Sequence, residues 1–178
     1  MKTFWILLSL LLGPALDAQA HKPSDAYLRL DLQGQQLEQR FDIALRDLDR
    51  ELLLDADDDG QLRWSEIRTR SAAIQALAEA GLSLTLRDAN GAACAAQAWQ
   101  ALQIDTHSDG RYAVLRRTHV CAAAPQDLTL GYRLFAASDP THRGVARLSL
   151  GAERSQALVL APDGAEQRIA LNGPAAPL

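Results

Sequence analysis

Apolar and polar residues alternate with period two over most of the chain, the pattern of strands with one buried face. Tyr27-Leu28-Arg29-Leu30-Asp31-Leu32 is one such run and 37–45 (LEQRFDIAL) is another, with Gly34 in the turn between them. The alternation returns after residue 80, at 82–86, 93–104, 112–120, 128–135, 145–150, 157–160 and 167–171. Turn residues separate these runs: Asp88-Ala-Asn-Gly91, Ser108-Asp109-Gly110, Ala124-Pro125, Asp139-Pro140 and Pro162-Asp163-Gly164. Many short strands at this spacing predict a mainly β protein, an antiparallel β-sandwich of Ig-like type.

One segment departs from the alternation. From about 46 to 80 the period becomes helical. Leu45, Leu48 and Leu52 are spaced by three and four, which predicts a short helix. Residues 65–79 hold few breakers and place Ile67, Ile74 and Leu77 on one stripe. The expected architecture is therefore a sandwich with a helix–loop–helix inserted after the second strand.

The first twenty residues follow neither period. Lys2 precedes the unbroken apolar run FWILLSLLL (4–12), Gly13-Pro14 ends it, and Ala18-Gln19-Ala20 matches a small-residue cleavage site. This is the pattern of a secretory signal peptide. The run is too short to span a bilayer, which takes about 20 residues, and charges interrupt every later apolar run. The expectation is a signal over 1–20, one domain over 21–172 that does not span a membrane after cleavage, a flexible tail over 173–178, and a periplasmic or secreted location.

Composition narrows the function classes. The chain has 178 residues, 18 Lys+Arg against 22 Asp+Glu, and a formal net charge of −4. Nucleic-acid binding needs a basic face and is not expected. The two cysteines are too few for a zinc cluster. In an oxidising compartment Cys94 and Cys121 predict a disulfide, because neither sits in a C-x-x-C pair or beside cations that would lower a thiol pKa.

The acidity concentrates between the two helical patterns, in Asp55-Ala-Asp57-Asp-Asp59-Gly60-Gln61-Leu62-Arg63-Trp64-Ser65-Glu66. This spacing fits the EF-hand calcium loop. Asp55, Asp57 and Asp59 hold positions 1, 3 and 5, and Gly60 allows the sharp turn at position 6. Gln61 offers its backbone carbonyl at position 7, and Glu66 supplies a bidentate carboxylate at position 12. Ca²⁺ takes six to eight oxygens, and extracellular sites fill even at Kd values on the order of 10⁻⁴–10⁻³ M. A constitutive structural ion is expected. Arg63 at position 9 carries no ligating oxygen and places a cation beside the site.

The four histidines offer an alternative chemistry. Cleavage after Ala20 would make His21 the N-terminal residue, able to chelate Cu²⁺ or Ni²⁺ through its amine and imidazole, with His107, His119 or His142 completing the site. No two of them stand at i, i+2 or i, i+4 spacing. There is no G-x-S-x-G and no phosphate-binding glycine loop, so no enzyme activity is expected.

Four strings then carry a family resemblance: His21-Lys-Pro-Ser-Asp-Ala-Tyr-Leu28, Phe41-Asp-Ile-Ala-Leu-Arg-Asp-Leu-Asp49 before the acidic loop, His107-Ser-Asp-Gly-Arg-Tyr-Ala-Val-Leu115, and Asp139-Pro-Thr-His-Arg-Gly144. Over nearly all of the chain after residue 20 the protein resembles the exported N-terminal region of bacterial HupE/UreJ-like proteins. In that family a polytopic membrane domain linked to nickel or cobalt handling follows the exported region. The sequence stops at Leu178 before any such domain. The resemblance thus implies a stand-alone or truncated version, a membrane-protein partner and no catalytic residue.

Overall fold

A computed structural model describes residues 25–152 and 154–172. The expected signal segment 1–20, His21 and the tail 173–178 lie outside the described residues. The described residues are mainly β, with ten strands in two sheets and three helices grouped between the second and third strands.

β1 (Asp25–Gln33) and β2 (Gln36–Ala44) form the first hairpin, Tyr27 opposite Asp42 and Gln33 opposite Gln36. Gly34 turns it with φ 58°, a conformation that costs glycine little. Beyond β2 lies β6 (Gly110–Val120), and on the other side of β1 lie β8 (Arg143–Leu150) and then β9 (Arg154–Leu160). Both β4 (Ala95–Ala96) and β5 (Gln103–His107) pair with β6 and complete a seven-stranded sheet. The second sheet has three strands, in the order β10 (Glu166–Ala170), β7 (Pro125–Tyr132), β3 (Leu82–Asp88).

The large sheet is not wholly antiparallel, contrary to the sequence expectation. β1 and β8 run parallel, from Asp25 opposite Arg143 to Leu32 opposite Leu150. The alternation that marks both strands is the same for either direction, and no hairpin joins them to fix it. The expected run 93–104 also breaks. Only its ends join the ladder, while Gln97 and Gln100 hold the middle to β6 through N–H bonds to the carbonyls of Thr118 and Arg116. Its alanine-rich start has weak strand preference. Trp99 instead packs under Arg117 (4.1 Å from guanidinium to ring centre) and donates to Glu79.

The inner faces of both sheets feed one core. Leu28, Leu30, Phe41, Leu115 and Leu148 enter from the large sheet, and Leu86, Leu128, Leu130 and Ile169 from the small one. Each buried Leu or Phe contributes about 2 kcal/mol of transfer free energy. α1 (Leu45–Leu52) adds Leu45 and Leu48, as its spacing predicts. The expected second helix divides into α2 (Trp64–Thr69) and α3 (Ser71–Gly81). At the break Arg70 turns to φ −95°, ψ 8°, and its N–H is shared between the carbonyls of Glu66 and Ile67. The stripe survives the break, with Ile67 and Ile74 fully buried. Cys94 and Cys121 are bonded, with Cα atoms 4.3 Å apart, fastening the segment before β4 to the end of β6. A closed loop of this length contributes about 3 kcal/mol. Among the described residues no helix is long and apolar enough to cross a membrane.

Candidate metal centre in the acidic loop

The loop begins where α1 ends. Leu53 takes the left-handed conformation (φ 50°) while its N–H bonds to the Asp49 carbonyl, and the Asp49 side chain then accepts the N–H of Asp55. Asp55 turns its carboxylate inward, accepting the N–H groups of Asp59 (3.3 Å) and Gly60 (2.8 Å). Asp58 and Gly60 both have positive φ, 55° and 77°. Aspartate tolerates this region better than most residues and glycine adopts it freely, so residues 58–60 reverse the chain around the Asp55 carboxylate. Asp59 accepts the N–H of Gln61.

These turns bring Asp55, Asp57 and Asp59 together, one carboxylate oxygen from each within 4.8 Å of the others. Three anions at this distance repel one another. Burial within the loop and the neighbouring Asp59 charge raise the Asp57 carboxyl above its ordinary pKa. Asp59 moves the other way, held low first by its hydrogen bond from Arg63 and then by the Gln61 N–H. Arg63 is the counter-charge, pairing with Asp57 at 3.2 Å and closely with Asp59.

Glu66 stands outside this group. Its two oxygens accept the N–H groups of Ala56 (3.0 Å) and Arg63 (2.8 Å), closing the loop on itself and capping the start of α2. To serve as the twelfth-position ligand it would exchange those bonds for the ion. The large sheet supports the loop from below. Arg111 on β6 donates to the Leu62 carbonyl at 2.9 Å. A cavity of about 460 Å³ lies between loop and sheet, lined by Asp49, Asp55, Gly60, Asp109 and Tyr112 among others.

Each described histidine has its own partner. His107 stacks on both Tyr27 and Tyr112, with ring centres at 5.1 and 4.2 Å in a three-ring cluster, and its Nε2 lies 3.1 Å from Asp42. His119 is buried, with Nε2 2.9 Å from the Gln39 side-chain oxygen. His142 is also buried, its Nδ1 2.9 Å from the Tyr132 hydroxyl. Among the described residues, Asp55, Asp57 and Asp59 are the one group of three or more metal-capable side chains. His107, His119 and His142 do not form a second, and His21 lies outside the described residues.

Sequence reasoning missed a second polar constellation on the outer face of the large sheet. Asp42 is 1% exposed at its side chain and accepts two bonds from Arg40, both 2.7 Å, besides facing His107. Arg40 also donates to Asp105 at 2.6 Å. The outward alternation of β2 marks Arg40 and Asp42 as neighbours on one face. Asp105 and His107 reach them only through the pairing of β5 with β6.

Neither a family model nor a curated protein matches the chain.

Proposed function

We propose that the protein is an exported calcium-binding module in which one Ca²⁺ occupies the 55–66 loop and has a structural role. The observation that carries this is the convergence of the Asp55, Asp57 and Asp59 carboxylates in a tight loop between two helices. Hard carboxylate oxygens with no soft ligand suit Ca²⁺ above transition metals. Asp55, Asp57 and Asp59 would hold the ion with the Gln61 carbonyl, and Glu66 would join them. Arg63 occupies two of these carboxylates, so the ion displaces a tethered cation, which lowers affinity toward the range that suits a calcium-rich exterior. Bound Ca²⁺ would pin α1 and α2 to the large sheet, where Arg111 already holds the loop.

On this reading the two sheets with their shared core are an Ig-like sandwich, and α1, loop and α2 are an inserted EF-hand-like unit. The Cys94–Cys121 disulfide is consistent with an oxidising, extracytoplasmic compartment. The likeness to HupE/UreJ-like exported regions would make a membrane protein the docking partner.

Calorimetric titration of the protein after removal of divalent ions tests the proposal. One Ca²⁺ site is expected, with a rise in melting temperature, and both are lost in Asp55→Ala. No heat and no thermal shift at several millimolar Ca²⁺ would overturn it.

A further inference from the structure

The strand register of the large sheet assembles a feature that no local stretch of sequence contains. Arg29 on β1 lies directly opposite Arg40 on β2, Arg40 opposite Arg116 on β6, and Arg29 opposite Arg147 on β8. Four arginines from four adjacent strands thus form one straight row, Arg147–Arg29–Arg40–Arg116, across the outer face. At about 4.8 Å between strands the row is about 14 Å long. Like charges placed directly opposite one another weaken a sheet. Only Arg40 is neutralised, by Asp42 and Asp105. Arg29, Arg116 and Arg147 form no hydrogen bond or ion pair through their side chains among the described residues. Folding therefore gains nothing from this alignment.

Two hollows lie along the row and share Arg29. One, about 380 Å³, is lined by Tyr27, Arg29, His107, Ser108 and Arg147 among others. The second, about 310 Å³, is lined by Arg29, Asp31, Glu38, Arg40 and Arg116 with Gln39.

We propose that this row is the binding strip for an acidic polysaccharide, a chain of sugar rings carrying carboxylates. Guanidinium groups bind carboxylates with two parallel hydrogen bonds, and a straight row of them matches charges repeated along a linear polymer. The first hollow adds what a sugar ring needs beyond charge. The Tyr27–His107 stack offers an apolar surface for its C–H face, and Ser108 offers a hydroxyl for its polar edge. A flat anionic membrane fits less well, because Asp31 and Glu38 face each other in the very next row of the same surface. An acidic peptide would use the arginines and leave the aromatic, hydroxyl-lined hollow without a role.

The test is titration with oligogalacturonate in EDTA, at low and at raised salt. EDTA keeps the acidic loop free of metal, so failure here is separable from failure of the calcium reading. Binding is expected, weakening as salt rises, and falling at least tenfold in R29A/R147A. Both residues are exposed, and an unchanged thermal melt verifies that the variant folds. Tyr27→Ala should weaken binding of the sugar polymer while leaving binding of poly-glutamate unchanged. No binding of oligogalacturonate, equal binding by R29A/R147A, or tighter binding of poly-glutamate or phosphatidylglycerol vesicles would overturn the proposal.

Discussion

The 55–66 loop gathers five acids within twelve consecutive residues and satisfies four of them, Asp55, Asp57, Asp59 and Glu66, from inside itself. Backbone N–H groups of Ala56, Asp59, Gly60, Gln61 and Arg63 point at three of its carboxylates, and the Arg63 side chain covers Asp57 and Asp59. The outer face of the large sheet gathers four arginines from four strands and neutralises one of them, with a carboxylate buried for that purpose. The loop is a local solution, short-range and exposed, so each contact in it is weak and replaceable. The face is a long-range solution whose one strong contact is buried and whose remaining charges are left to solvent or to a ligand. Concentrated charge of either sign can thus be held by a fold, but only burial makes a single charge pair matter greatly to stability.

The largest expected effect breaks the buried side of this comparison. Asp42→Ala leaves Arg40 and His107 without their shared acceptor and should lower stability by about 3 kcal/mol or more. Asp58→Ala in the loop should change it by less than about 0.5 kcal/mol. Urea midpoints at constant m-value compare the two, and equal losses would erase the distinction between them.

Acid should strike the interior before the loop. Burial, aided by the neighbouring Arg117, holds His119 down to about 4, against an ordinary value near 6.5. The unfolded chain therefore takes up a proton that the native state refuses. Stability is fully present above pH 6.5 and is lost progressively as pH falls toward about 4, by up to about 3 kcal/mol. The Asp57 and Asp59 carboxyls are exposed and move in opposite directions. His119→Gln keeps a hydrogen-bonding group near Gln39 and should flatten the decline. An unchanged decline in that variant would place its origin elsewhere.

Within the loop, Arg63→Ala removes the tethered cation and should tighten Ca²⁺ binding roughly fivefold at low salt, with a smaller gain as salt rises. Calorimetry of the two proteins side by side measures it, and weaker binding by the variant would show that Arg63 organises the site more than it competes for it. The smallest effect concerns the row itself. Arg29→Thr relieves repulsion on both sides and places a strand-favouring residue there, so it should stabilise by about 0.5 kcal/mol at low salt. A loss of stability instead would show that the row has partners of its own.

Much of the fold was legible because it is encoded at short range. The alternation located β1, β2, β3, β6 and β8 closely, and the Leu45–Leu48–Leu52 spacing marked α1. The split at Arg70 was not legible, because no breaker residue stands there and the turn depends on a shared hydrogen bond. The fate of 93–104 was equally hidden, since Trp99 leaves the ladder for partners on α3 and β6. The start of β7 shifted by three residues: it begins at Pro125 rather than 128, because the paired strand β3 extends to Asp88. The acidic cluster was visible as a motif, whereas the use of Glu66 on Ala56 and Arg63 was not.

Sequence alone determined which residues point inward, that the two cysteines would meet, and that carboxylates would crowd one loop. These properties depend on neighbours within a turn or two, or on there being one possible partner. Tertiary structure decided the parallel pairing of β1 with β8, the burial of Asp42 beneath Arg40 and His107, and the alignment of Arg147, Arg29, Arg40 and Arg116. Period two tells each strand which face is outward, but strand order and register decide which outward residues become neighbours, and those are set by packing across the whole core.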